Sequence, residues 1–265
     1  MKNSKPTRKL INSHVPGWMD DFEKTIASLQ EKWPPANVFA LFDCVFNEPC
    51  LTQIKRSQIV SRCLYDLSKN PSPELEAVSP VLVPLTDALD ARWREAVQLT
   101  DGYPMLSLIV TPESLDQLAQ RLHPWCIVKV DGEPYVFRFP DTRRLPGVIE
   151  VLTPQQHAAF FGPAYAWLYR TRSAEWKELP IPDASLPPDD DVKLSAEQFV
   201  QLIEDSEADE IAAHFHVHEP MLILPYQPSE AYDLIAQALK HVDNKDVERL
   251  DRMECCRLFL QQPQQ

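Results

Sequence analysis

Glycine is scarce in this chain of 265 residues, which contains five glycines and 25 prolines. Folds that bind nucleotides through a glycine-rich loop need clustered glycine at a turn from a strand to a helix. The five glycines are scattered along the sequence. The composition therefore argues against a dinucleotide-binding fold and against a phosphate-binding loop.

Basic residues are also few, since 26 Lys and Arg stand against 39 Asp and Glu, giving a net charge of -13. Affinity for nucleic acid comes largely from Lys and Arg, so no nucleic-acid partner is expected. No stretch approaches the roughly 18 apolar residues that a membrane span needs, and residues 1–10 are polar and basic without a following apolar run. We expect no membrane insertion and a cytoplasmic location.

The six cysteines include no Cys-x-x-Cys pair and show no regular spacing, so reduced thiols are expected. Cys44 follows Asp43 at the end of a predicted strand, where a nucleophile could act if a histidine lay nearby. A packed thiol is the alternative that we favour. The sequence predicts no cofactor and no enzyme activity.

The first part of the chain alternates between strand and helix patterns. The predicted elements are a helix at 18–33, a strand at 37–43, a strand at the edge or end of a sheet at 79–85, a helix at 86–99, a strand at 105–110, a helix capped by Thr111, and a hairpin at 126–139. This order predicts an α/β (α+β) fold, with a mixed β-sheet flanked by helices, over residues 15–178.

The second part has a different composition. Residues 179–194 are rich in Pro and Asp, which predicts an extended linker. Ser195 and Gln198 match a capping box, and further helical patterns follow at 229–241 and 245–261. Residues 195–261 therefore predict a small, mainly helical lobe. It is the natural place for partner specificity, since divergent surfaces can change without disturbing a sheet.

One motif follows the Asp-Gly turn of the hairpin and combines aromatic with charged residues: Phe137, Arg138, Phe139, Asp141 and Arg143. Its arginines could bind an anion. The favoured alternative is an internal ion pair between Arg138 and Asp141 at the strand exit, with Arg138 on the buried side. Asp141 also resembles the cap of a helix. We interpret the motif as structural, with a possible docking role.

Three histidines, His214, His216 and His218, are spaced two apart. On a strand they would share one face and could bind a transition metal, as in a metal-binding protein or a hydrolase. The alternative is that a helix ends near Ala213, because histidine is favoured at a helix C-terminus.

Aromatic residues alternate with other residues at Tyr165, Trp167 and Tyr169, and Trp176 follows. Period-two spacing predicts one face of a strand. That face is either part of the core or an aromatic surface that binds a partner. Core packing is the favoured interpretation for most of them.

The chain resembles the effector chaperones, or adaptors, of bacterial type VI secretion systems, a family catalogued under a domain of unknown function. The resemblance is carried by residues 39–43, 63–65, 79–83, 137–143, 152–156 and 160–163 and spans about residues 37–170. The chain departs from the family motif at Pro140 and Thr142, where Tyr and Pro are common.

The resemblance implies a non-catalytic adaptor that holds a cognate effector in the cytoplasm and helps to load it onto the spike protein of the secretion needle. Two alternatives stay open. One is the metal-binding protein or hydrolase that would use the three histidines, and the other is a structural component of the secretion apparatus.

Overall fold

Two β-sheets and three buried apolar clusters form the core, as seen in a computed structural model that describes residues 8–68, 72–85, 91–181, 192–242 and 249–261. The strands are β1 (Asn37–Asp43), β2 (Arg62–Cys63), β3 (Pro80–Pro84), β4 (Leu106–Thr111), β5 (Ile127–Val130), β6 (Glu133–Val136), β7 (Ala166–Arg170), β8 (Trp176–Glu178) and β9 (Lys193–Leu194). The helices are α1 (Trp18–Lys32), α2 (Glu48–Arg56), α3 (Pro73–Ala77), α4 (Ala91–Gln98), α5 (Leu115–Leu122), α6 (Leu145–Val151), α7 (Pro154–Phe161), α8 (Ala196–His218), α9 (Pro228–Val242) and α10 (Arg249–Gln261).

The larger sheet has the strand order β2-β3-β1-β4-β7-β8 within the described residues, and all its neighbouring strands are antiparallel. The smaller sheet has the order β6-β5-β9, with β5 antiparallel to β6 and parallel to β9. The predicted class of mixed α and β structure is confirmed. Mixed strand directions occur only in the smaller of the two described sheets. The predicted edge position of the strand at 79–85 is wrong, because β3 lies between β1 and β2 in the larger sheet.

Strand β1 separates the two clusters of the first part because its side chains alternate between the faces of the sheet. Phe39 and Leu41 pack with α5, α6 and α7. Ala40 and Phe42 pack with α1, α2 and α4 on the other face. A strand covered on both faces needs a continuous apolar run, and β1 is buried from its second residue onward.

The cap of α5 differs from the prediction. Ser114 accepts a bond from the N–H of Gln117, and the Gln117 side chain accepts one from the N–H of Ser114, which together form a capping box. The predicted cap at Thr111 is wrong, because Thr111 pairs with Asn37 as the last residue of β4. The predicted helices at 86–99 and 245–261 lie partly outside the described residues, and their described parts are α4 and α10.

The helical part has its own core, in which α8, α9 and α10 surround the fully buried Phe215 and Ile235. The capping box predicted at Ser195 and Gln198 starts α8. The first turns of α8 do not join this helical core, because Phe199 packs against the core of the first part of the chain. One helix therefore belongs to both parts.

The segment predicted as a linker is anchored at both ends. Leu179 and Leu194 are each 4% exposed. Leu194 lies in β9 and pairs with Val130 of β5. The intervening residues 182–191 lie outside the described part of the chain. Residues 192–194 therefore join the smaller sheet before α8 begins.

Asp209 of α8 fixes the helix against the first part of the chain. Its carboxylate is 2.7 Å from a guanidinium nitrogen of Arg172 and 3.4 Å from nitrogens of Arg143 and Arg144. Burial raises the pKa of Asp209, but the three arginines outweigh burial and lower it overall. The ion-pair cluster thus holds α8 against the segments of the first part that carry Arg143, Arg144 and Arg172.

Candidate protein-docking site

Strand β6 forms the open edge of the smaller sheet. All four of its residues are exposed, and none of the described strands pairs with its outer side. The turn that precedes it has positive φ at Asp131 (52°) and Gly132 (88°). Positive φ at both central residues is typical of a type I′ turn, whose twist matches that of a two-stranded hairpin. The predicted hairpin is therefore confirmed.

Alternate residues of β6 direct their backbone groups towards β5 and towards solvent. Phe137 donates its N–H to the carbonyl of Cys126 at 3.0 Å. By the same alternation Tyr135 faces β5, whereas Val136 directs its N–H and C=O outward. Pro134 also faces outward but has no N–H to donate. The open edge is consequently short.

The first groove, here the helix-side groove, lies between β6 and α8 and has a volume of about 250 Å³. Its apolar walls include Tyr135 of the hairpin and Phe199 and Ile203 of α8. The rings of Tyr135 and Phe199 lie 4.5 Å apart between centroids. Ile203 is 52% exposed and Tyr135 39%. The groove therefore offers apolar surface to a ligand.

The second groove, here the loop-side groove, borders the same strand and has a volume of about 310 Å³. Ile127 and Val136 oppose each other across the hairpin and point away from the core, since the alternate residue Val128 is buried. The exposed apolar side chains of this groove are Val45, Leu75, Val78, Ile127 and Val136. We call β6 together with its two grooves the docking edge.

Asp43 and Arg138 line the loop-side groove as an ion pair. A guanidinium nitrogen of Arg138 donates to the Asp43 carboxylate at 2.7 Å. The Asp43 side chain is 3% exposed, whereas that of Arg138 is 41% exposed. Burial raises the pKa of Asp43 to about 6, while Arg138 opposes this rise and Asp141 adds to it. A shifted carboxyl group in a concave surface is typical of functional sites.

The predicted ion pair between Arg138 and Asp141 is wrong, as is the prediction that Arg138 lies on the buried side. Phe137 and Phe139 occupy the core side of this segment, so the intervening Arg138 points the other way, to Asp43. Asp141 instead accepts bonds from Arg143, at 2.8 Å and 3.1 Å from the guanidinium group and at 3.0 Å from the backbone N–H.

The other proposed roles of this motif also change. Helix α6 begins at Leu145 and not at Asp141, although the backbone N–H groups of Arg144 and Leu145 donate to the carbonyl of Asp141. Arg143 and Arg144 contact carboxylates of the protein itself. Their guanidinium groups therefore already have anionic partners, and the predicted anion-binding alternative gains no support.

Two of the four predicted partner-binding aromatics are core residues. Trp167 is fully buried and Tyr169 is 4% exposed, both on the face of β7 that packs with α5, α6 and α7. Trp176 is half-buried and stacks on Phe22. Tyr165 is 39% exposed, but its ring stacks on Trp33. A binding role is thus excluded for Trp167 and Tyr169 in the folded protein, since a partner cannot reach them.

The three histidines do not share a face. They lie in the last turns of α8, so the strand that the metal hypothesis requires is wrong. The predicted position at a helix C-terminus is confirmed, but α8 ends at His218 and not near Ala213. His214 and His218 are one turn apart, with rings 4.5 Å apart between centroids. His216 lines a different cavity, beside Arg8. Burial and the charge of Arg8 lower the pKa of His216.

Among the described residues, the side chains that converge as metal ligands would are Cys63, Asp66 and Glu76. Lys55 places its ammonium group 2.6 Å from Glu76. The Glu76 carboxylate therefore already has a cationic partner in the protein itself. Burial, aided by the two carboxylates, raises the pKa of Cys63 to about 11. A side-chain hydrogen bond with Cys50 and burial also raise the pKa of the Cys44 thiol. A nucleophilic cysteine needs a lowered pKa, because the thiolate is the reactive form.

The sequence reasoning missed the residues that form the docking edge. The hairpin pattern at 126–139 predicts that Ile127 and Val136 lie in strands but not which face is exposed, and the capping box at Ser195 predicts a helix without indicating that Ile203 lines a groove. One signal was available. Lys129 alternates with Val128 and Val130, which indicates that Ile127 lies on the same solvent-facing side as Lys129.

Fold and site define a protein whose first part is mixed α and β, whose last part is helical, and whose smaller sheet has an open edge. Residues 38–159 match the family model described as "Domain of unknown function (DUF4123)". The matched residues include the hairpin and the ion pair of Asp43 and Arg138 but end before α8. Comparison with curated proteins and with solved structures gives no match for the chain.

Within the described residues, no helix combines the length and the apolar character that crossing a bilayer requires.

Proposed function

We propose that this protein is a non-catalytic adaptor that binds a cognate type VI secretion effector in the cytoplasm and helps to load it onto the spike protein. The docking edge carries this proposal. It combines backbone groups without a strand partner and half-exposed apolar side chains in two grooves. Exposed apolar surface of this kind is typical of sites that bind other proteins.

The family match supports the proposal. The stretch that resembles effector adaptors, about residues 37–170, largely coincides with residues 38–159, which match the family model. The hairpin and the Asp43–Arg138 pair lie inside both stretches. The adaptor role itself comes from the resemblance, so it stands as a proposal for this chain.

The helical part fits the role of a specificity element. It has its own core, and it supplies Phe199 and Ile203 to the helix-side groove. Exposed acids on the same helix, such as Glu197 and Glu204, would attract a basic region of an effector and speed the encounter.

The first test is co-expression with a candidate type VI secretion effector from the same bacterium. A stable complex that survives gel filtration, together with loss of toxin export when the adaptor gene is deleted, is the expected result. Unchanged abundance and export of the toxin after deletion would contradict the adaptor role.

Matched variants link the complex to the docking edge. Replacing Val136, which is 63% exposed, with Asp is expected to weaken the complex by about tenfold or more, because the charge is desolvated in an apolar contact. Val217 is 68% exposed on the C-terminal turn of α8, away from both grooves, and Val217→Asp is the matched control. Equal effects of both variants would refute the assignment of the site.

A further inference from the structure

The two grooves border the same edge strand, and this arrangement selects the shape of a ligand. Val136, Phe137 and Arg138 line both grooves. A strand added beside β6 would direct successive side chains alternately to the two faces of the sheet, and so into one groove and then the other. A helix, about 10 Å wide, needs a single continuous trough on one side.

The backbone groups at the edge fit a short added strand. Val136 offers an N–H and a C=O, and Pro134 offers a C=O alone. A proline in an edge strand limits pairing because it removes a donor, and edge strands use it to prevent uncontrolled association. The edge can therefore pair with a few residues of a partner, centred on Val136, but not with a long strand.

The charges around the grooves select the chemistry of that partner. Glu74, Asp131 and Glu133 are exposed and have no ion-pair partner among the described residues, and Asp205 of α8 lines the helix-side groove. Lys129 is an exposed base on the hairpin. With a net charge of -13, a second copy of the chain would be repelled from this acidic rim. A segment with basic side chains would be attracted.

We infer that β6 binds an extended segment of the effector by strand addition, with adjacent apolar side chains in the two grooves and Lys or Arg on either side of them. This inference rests on the proposed function and names the part of the partner that is bound. Backbone bonds to Val136 supply affinity, and the paired grooves and acidic rim supply selectivity.

A labelled peptide with a central Ile-Val-Ile segment flanked by Lys-Thr pairs is the probe, and fluorescence anisotropy measures its binding. Three comparison peptides change one feature each. In the first, Glu replaces Lys. In the second, Pro replaces the central Val and removes its backbone donor. The third rearranges the same residues into an amphipathic helical pattern. We expect each to bind about tenfold more weakly or worse.

Two variants of Val136 test the backbone contact. Val136→Pro removes the outward N–H, whereas Val136→Thr keeps both the N–H and the shape of the side chain. The proline variant is expected to bind the peptide about tenfold more weakly, and the threonine variant within about threefold of wild type. In the helix-side groove, Ile203→Ser is also expected to weaken binding, as is Val78→Ser in the loop-side groove.

Amide hydrogen exchange on the wild-type protein makes the test independent of variant folding. The amide of Val136 should gain protection when the peptide binds, while that of Phe137, already bonded to Cys126, should change little. Equal binding of the Glu and Lys peptides, tighter binding of the helical peptide, or no protection of Val136 would overturn the inference.

The same exchange measurement on the complex with the whole effector separates this inference from the proposed function. A stable complex without protection of Val136 would refute strand addition and leave the adaptor role intact. Absence of any complex, together with unchanged export, would instead refute the adaptor role.

Discussion

Replacing Asp43 with Asn changes a single buried charge beneath the docking edge while keeping the shape of the side chain. The Asp43 side chain is 3% exposed and has its ion-pair partner, Arg138, on the solvent side. Burial is the largest influence on this carboxyl group and raises its pKa to about 6 in spite of Arg138. The structure therefore predicts that ionised Asp43 reduces stability.

The sign and the size follow from the shift. An unfolded chain releases this proton near the ordinary value of 3.8, whereas the folded protein keeps it until about pH 6. Between these values the folded state binds more protons, so the free energy of unfolding falls as the pH rises. A shift of about two pKa units corresponds to about 3 kcal/mol in the free energy of unfolding. This stability is lost in full once the pH is well above 6.

The assay is urea unfolding of wild type and Asp43→Asn, followed by tryptophan fluorescence at several values from about pH 4 to about pH 7.5. Asparagine cannot ionise, so the variant lacks this loss. The variant-minus-wild-type difference in unfolding free energy should increase by about 2.5 kcal/mol across the range, because a small part of the loss already occurs below pH 4. Contributions of distant titrating groups cancel in this difference.

A difference that stays constant with pH, or that falls as pH rises, would refute the reasoning. Arg138→Met provides a second check. It should reduce stability by about 1–2 kcal/mol near pH 7.5, because the carboxylate loses its partner, and by little near pH 4, where the carboxyl group is neutral. The loss is smaller than for a fully buried pair, since Arg138 is 41% exposed.

Three further predictions concern other parts of the chain. Asp209→Asn should lower the free energy of unfolding at pH 7 by about 3 kcal/mol, because buried guanidinium groups lose their shared acceptor. Trp167→Phe should cost about 2 kcal/mol in the same urea assay and leave partner affinity unchanged, because its ring is fully buried. Replacing His214, His216 and His218 with Ala should leave partner binding unchanged, and calorimetry should detect no zinc affinity tighter than micromolar in either protein, since the rings do not converge.

Matched controls sharpen these tests. Glu204→Gln on the exposed face of α8 should change stability by less than about 0.5 kcal/mol, and an equal loss for Asp209→Asn would contradict the ion-pair cluster. Tyr165→Phe keeps the ring that stacks on Trp33 and should cost little. Loss of partner affinity in Trp167→Phe beyond the loss of folded protein would contradict its core role. Zinc binding that disappears in the histidine variant would restore the metal hypothesis.

Elements with strong local patterns were predictable from the sequence. The apolar spacing of α1, the run of β1, the Asp-Gly turn and the capping box at Ser195 each depend on residues within one or two turns of the chain. Local backbone preferences and amphipathic spacing are sufficient to specify such features. The error at Thr111 arose because pairing with the distant Asn37 extends β4 to this residue, and the error at Arg138 arose because the distant Asp43, and not the nearby Asp141, is its partner.

The candidate site was predictable only in part. The sequence indicated that the motif at 137–143 is structural and that it follows a hairpin. It did not indicate that the hairpin has an open edge, because openness depends on which other strands reach it. The aromatic spacing at 165–169 correctly predicted a strand face, but burial of that face depended on α5, α6 and α7.

The sequence by itself determined the class of fold, most helices and strands, and the absence of the common motifs of nucleotide chemistry. Only the tertiary structure decided the partner of Arg138, since Asp43 lies 95 positions away along the chain while Asp141 is three away. The same holds for Asp209 and its three arginines and for the two grooves of the docking edge. Periodicity and capping act over a few residues, whereas an ion pair or a groove depends on distances that arise when remote segments pack together.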